Sequence, residues 1–202
     1  MSAASGALGV TLVVGATGHL GGRVVEDASG QGLPIRALVR PHRASEWSGR
    51  NVSFAIGDLL DPMSLDRACD GIDQVIATAT AHIPTRSGDD FVRTEERGYQ
   101  NLITACRRRG VRRLIFISGL ATPLDEYVPL CRIKRNIERR IEESGIGYLI
   151  FRAPGFMDVA FALLGSDIPV AGCDSATIKR PFWFTRRHFD RVRHSIRRSV
   201  AA

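Results

Sequence analysis

Residues 12 to 25, "LVVGATGHLGGRVV", constrain the fold more than any other stretch of the chain. Four glycines, at positions 15, 18, 21 and 22, stand between an apolar run and what reads as a helix. Glycine loses backbone entropy on folding and has no side chain to bury, so a cluster at such a junction needs a geometric reason. The spacing Gly15-x-x-Gly18-x-x-Gly21 gives one. The first glycine permits a tight turn out of a strand, the second lets backbone N–H groups approach a pyrophosphate, and the third lets helix and strand pack closely. The N-terminus of the following helix adds N–H groups and a partial positive charge, which favour a bound anion. A second apolar run, "IRALVR", follows within about 30 residues, completing a strand, glycine loop, helix and strand.

The rest of the chain repeats this alternation. The runs "VTLVVG", "IRALVR", "NVSFAIGD", "QVIATAT", "RLIFIS" and "YLIFRA" read as strands, with helices over 20–29, 62–70, 91–109 and 129–144. Continuously apolar strands are buried on both faces, the habit of a parallel sheet covered by helices. The expected fold class is therefore α/β: a Rossmann-type doubly wound parallel sheet with helices on both faces. Asp61-Pro62 supplies a cap and a first-turn proline, Gly110 and Gly145 follow the last turns of two helices, and Leu130, Ile133, Ile137 and Ile141 form one apolar helix face. Beyond residue 155 the pattern loosens. Residues 1–155 are expected to form an NAD(P)-binding domain, and 156–202 a short, incomplete C-terminal extension.

Where the second strand ends, an acid would be needed to hold a ribose 2′-hydroxyl. The chain has Arg40 there, with His42 and Arg43 close behind. A guanidinium can accept a 2′-phosphate through charge-assisted hydrogen bonds, so NADP(H) is expected in preference to NAD(H). The alternative is that Arg40 and Arg43 are solvated loop charges. Asp58, in "GDLLD", falls at the C-terminal end of the third strand, where it either borders an adenine or caps the turn beyond. The small residues of "ATATAH" after the fourth strand leave room for a cofactor, or simply let helices pack closely.

The stretches "VVGATGHLGGRVV", "ALVR", "GDLLD", "GYQNLITACRRRGVRRLIFISGL" and "SGIGYLIFRAPGFM" resemble the NmrA-like and isoflavone-reductase-like NAD(P)H-binding proteins, atypical relatives of the short-chain dehydrogenases/reductases. The resemblance covers roughly residues 10 to 160. It implies that Gly15, Thr17, Gly18, His19, Leu20, Gly21 and Arg40 hold NADP(H), that Asp58 lies near the adenine, and that Ala79 and Thr80 lie beside the nicotinamide-side ribose.

The catalytic pattern of ordinary short-chain reductases, Tyr-x-x-x-Lys, is absent. Tyr127 and Lys134 are seven residues apart, about 10.5 Å along a helix axis, and Pro129 starts the helix only after Tyr127. Two other groups stand at the expected rim. Ser118 ends the strand "RLIFIS", and Lys134 follows Leu130 by one turn beside Ile133. The resemblance implies a catalytic lysine on this helix; the plain alternative is a surface lysine whose stem covers apolar area. Phe156 and Met157 either touch a substrate or belong to the core. The expected function is an NADP(H)-dependent oxidoreductase acting on a small carbonyl, enone or quinone. A non-catalytic module that senses the NADPH/NADP⁺ ratio is the alternative.

The net charge of +7 looks at first like a nucleic-acid signal, but residues 179–202 hold eight Lys/Arg against one acid, and the rest of the chain balances at 20 of each. Phe189, Val192, Ile196 and Val200 place that tail on an amphipathic helix, either an ordinary domain helix with a solvated face or a docking surface for an acidic protein partner, a membrane surface or nucleic acid. No interleaving of aromatic and basic residues points to nucleic acid. Cys69, Cys106, Cys131 and Cys173 show no CxxC and no nearby histidine at zinc spacing, so idle thiols are expected and no metal site. The N-terminus lacks the basic start of a secretory signal and no apolar run reaches membrane-span length, which makes a cytoplasmic protein the expectation.

Overall fold

The computed structural model describes residues 9–48, 50–81, 92–120 and 127–153. Phe156, Met157 and the stretch expected to form the basic tail helix fall outside them. Six strands, β1 (Thr11–Val14), β2 (Ile35–Val39), β3 (Ser53–Ile56), β4 (Gln74–Ala77), β5 (Arg113–Gly119) and β6 (Gly147–Ala153), form one sheet in the order β3-β2-β1-β4-β5-β6. Every neighbouring pair is parallel. The helices are α1 (His19–Gly30), α2 (Pro62–Ala68), α3 (Tyr99–Arg108) and α4 (Pro129–Glu142), with a 3-10 helix over Pro41–Glu46 and a π-helical turn over Arg93–Gly98.

The central strands β1 and β4 are buried along their whole length, whereas the edge strands β3 and β6 are partly exposed. Continuous apolarity thus marks the middle of the sheet, as expected for strands covered on both faces. On one face Leu12, Val14, Leu38, Val75, Ala77, Leu114 and Phe116 pack with residues of α2, α3 and α4, among them Leu65, Tyr99, Leu102, Ile133, Ile137 and Ile141. On the other, Val13, Ala37 and Val39 pack with Val25 of α1 and with Trp47. Both layers follow from the alternation of side chains along each strand.

Local signals end the elements where the sequence placed them. Asp61 caps α2, its carboxylate accepting from the N–H groups of Met63 and Ser64 with Pro62 in the first turn. Gly110 and Gly145 follow α3 and α4 with φ of 67° and 75°. Strand order reverses direction between β1 and β4. In such a sheet the loops leaving the two strands part at their C-terminal ends and open a crevice, the usual place for a ligand.

Candidate functional site

The crevice is built from three loops. Val14 is in register with Leu38 and with Ala77, so the glycine loop after β1, Arg40 after β2 and the segment Thr78–Ala81 after β4 leave the sheet side by side. Thr78 fastens two of them, its N–H and its hydroxyl both donating to the Val14 carbonyl, at 2.9 and 3.0 Å.

The glycines divide by what surrounds them. Gly15 has φ +90°, and a Cβ there would lie 2.6 Å from the Ala79 nitrogen; one on Gly21 would lie 2.2 Å from the Gly15 carbonyl oxygen. These two are required by the protein's own backbone. Gly18 is different. It is extended (φ −85°, ψ 172°), and a Cβ on it would meet only the Gly15 oxygen, at 3.2 Å. A side chain at 18 would thus press on the Gly15 carbonyl far more mildly than one at 15 or 21 presses on its neighbours, whereas a ligand lying against this backbone would exclude it outright. Gly18 is also the N-cap of α1, and neither a side-chain cap nor a first-turn carboxylate occupies that helix end. A pyrophosphate fits this cradle by space and by charge.

The remaining sequence candidates sit around it. Gly18, His19 and Thr80 are exposed, and Gly15, Thr17, Leu20, Arg40, Asp58 and Ala79 are partly so. Arg43 pairs with Glu46 at 2.6 Å within the 3-10 helix. Asp58 makes the turn of its alternative reading, accepting from the Leu60 N–H at 2.8 Å.

The two groups proposed for chemistry lie deeper than the cofactor loops. Lys134 is only 7% exposed. Its Nζ is 2.9 Å from Oε2 of Glu95 and sits 5.4 and 5.0 Å from the ring centroids of Tyr99 and Phe116. A surface lysine is excluded by this placement. Glu95, wholly buried, divides its carboxylate: Oε2 accepts from Lys134, and Oε1 accepts from the Ala81 N–H at 3.2 Å. The Tyr99 hydroxyl donates to the Ala79 carbonyl at 2.6 Å, and burial, with Glu95 nearby, pushes its pKa well above the usual phenol value, so it remains a neutral donor.

Ser118 is likewise buried, inside a second ionic group. Glu138 of α4 pairs with Arg135 and Arg152, and Arg135 also donates to the Ser118 hydroxyl and the Gly119 carbonyl. Burial alone would raise the Glu138 carboxyl, but hydrogen bonds from Arg152 and Ser118 and the charge of Arg135 outweigh it and hold the pKa below the usual range. The sequence reading missed Glu95, Glu138 and Arg152. Of the cysteines, Cys69 and Cys106 are free and buried, Cys131 is half-buried, and Cys173 lies outside the described residues.

Comparison with known proteins identifies the family. A family model described as NAD(P)H-binding matches residues 15–164. The chain is 36% identical over 149 residues to the photosystem II assembly factor Ycf39 of Cyanophora paradoxa, covering 72% of this chain and 45% of that protein. It is 34% identical over 146 residues to the NAD(P)H azoreductase of Xenophilus azovorans, covering 72% and 47%. Among solved structures, the Citrobacter sp. triphenylmethane reductase complexed with NADP(H) superposes with a TM-score of 0.60 at 26% identity, over 74% of this chain and 51% of that one. The chain thus spans about half the length of these relatives. Among the described residues no helix is long and apolar enough to cross a membrane.

Proposed function

The chain belongs to the NAD(P)H-binding family, and we propose that it binds NADP(H) in preference to NAD(H) and serves as an oxidoreductase for a small carbonyl, enone or quinone. The single observation that carries the binding half is Gly18, a glycine at the mouth of the cradle that its extended backbone does not require and that the surrounding packing restricts far less than at Gly15 or Gly21. Gly15, Thr17, Gly18, His19, Leu20 and Gly21 would hold the pyrophosphate, Arg40 a 2′-phosphate, Asp58 the adenosine, and Ala79 with Thr80 the nicotinamide-side ribose. Bound there, the reduced nicotinamide supplies a hydride. The names of the azoreductase and the triphenylmethane reductase support a reductase and widen the substrate panel to azo compounds and dyes.

A second reading is favoured by one position. Leu130 stands one turn before Lys134, where a Tyr-x-x-x-Lys pair would have its tyrosine, and the Lys134 ammonium is engaged with Glu95. Such a site suits a module that binds nucleotide without turning over a substrate, and one relative is named as an assembly factor rather than an enzyme. The deciding experiment measures NADPH and NADH affinity together with NADPH oxidation against quinones, enones, aldehydes and azo dyes. Turnover supports the oxidoreductase. Tight binding without turnover on any compound supports the sensing module.

A further inference from the structure

The segment Ala79–Ala81 is held by its backbone from one helical stretch. Tyr99 bonds the Ala79 carbonyl and Glu95, four residues earlier, bonds the Ala81 N–H. Thr80 lies exposed between the two anchors. The π-helical turn Arg93–Gly98 precedes Tyr99, and such a turn, wider than an α-turn, is a recurrent feature of functional sites. Here it carries Glu95 into the core, where Lys134 neutralises the carboxylate.

We infer that Glu95 and Tyr99 are positioning residues for the nucleotide: they clamp Ala79–Ala81 so that this segment forms a fixed wall for the nicotinamide half, while the adenosine half binds independently of them. The inference rests on the nucleotide-binding reading above and deepens it. Independence of the two halves follows from the layout. The glycine cradle is tied to β4 through Thr78 and Val14, bonds that involve neither Glu95 nor Tyr99. Arg40 follows β2, on the opposite side of β1 from β4. Loosening Ala81 therefore leaves the pyrophosphate and 2′-phosphate contacts in place and removes order only beyond Ala79. A preorganised wall raises affinity by avoiding the entropy of ordering it on binding.

The test compares two ligands on the full chain. NADPH carries both halves; adenosine 2′,5′-bisphosphate carries only the adenosine half. Titration calorimetry on Glu95→Gln is expected to show NADPH weakened at least tenfold, with the bisphosphate within twofold of wild type. Tyr99→Phe keeps the ring and removes only the hydroxyl; its loss for NADPH is expected to be about threefold to tenfold, one neutral hydrogen bond, again with the bisphosphate unchanged. A thermal melt of each variant reports folding separately. If Glu95→Gln does not fold, Tyr99→Phe decides the matter by the same comparison. Equal loss for both ligands, or loss for neither in folded protein, overturns the clamp and leaves nucleotide binding standing. A wild-type chain that binds neither ligand overturns the nucleotide reading, and the clamp falls with it.

Discussion

Replacing Lys134 by methionine keeps most of the side-chain length and removes the charge. The Glu95 carboxylate, wholly buried, would keep its hydrogen bond from the Ala81 N–H but lose its counter-charge. Breaking a buried ion pair from one side costs about 3–5 kcal/mol, because the charge left behind has lost its compensation. The two aromatic faces around the ammonium add to the loss, about 0.5–2 kcal/mol for each cation–π contact. For a chain of this size, 3–5 kcal/mol corresponds to a fall in Tm of roughly 6–20 °C. Urea unfolding of wild type, Lys134→Met, Glu95→Gln and the double variant closes a double-mutant cycle. The double variant should be markedly less destabilised than the two singles summed, with a coupling of about 2 kcal/mol or more, since neither charge is then left alone. A cost below about 1 kcal/mol for Lys134→Met, the range of exposed pairs, would refute the buried pair.

Three further outcomes are expected. Gly18→Val should keep the fold by circular dichroism yet lose NADPH binding, whereas Gly21→Val, whose Cβ would lie 2.2 Å from the Gly15 oxygen, should destabilise the fold itself. Arg40→Glu should weaken NADPH far more than NADH, by about 1.5–3 kcal/mol for the lost charge-assisted contact and more from repulsion; equal loss in parallel titrations would remove the 2′-phosphate role. Because the folded Glu138 carboxyl titrates below its ordinary 4.5, its contribution is full above that value and is lost as pH falls through the lower folded pKa. Denaturation midpoints of wild type and Glu138→Gln measured from pH 7 down to pH 3 should therefore converge on acidification, and a constant gap would contradict this.

Most of the fold was legible in the sequence, because the residues that shape it act locally. Apolar runs such as "VTLVVG" and "RLIFIS" are sheet interior whatever surrounds them, and Asp61-Pro62 is a cap in its own first turn. The cradle was legible for the same reason, strand, glycines and helix being contiguous. The ionic network was not, since Glu95 and Lys134 meet across 39 residues. Glu95 sits in the charged stretch "RTEERG", which reads as solvated surface, and the π turn leaves no mark in composition. One signal was present. Glu95 falls on the apolar stripe of Tyr99, Leu102 and Cys106, and Lys134 on that of Ile137 and Ile141, so opposite charges occupy the inward stripes of successive helices. Arg135, Glu138 and Arg152 were obscured in another way. They gather around Ser118 only once β5 and β6 pair, with Ser118 in register with Arg152.

Backbone amide shifts during an NADPH titration test the central claim most directly, because the cradle is made of N–H groups rather than side chains. A single saturating site is expected, with the largest shifts on residues 18–22 and 79–81. Saturable binding that shifts amides elsewhere while leaving those two segments unmoved would contradict it.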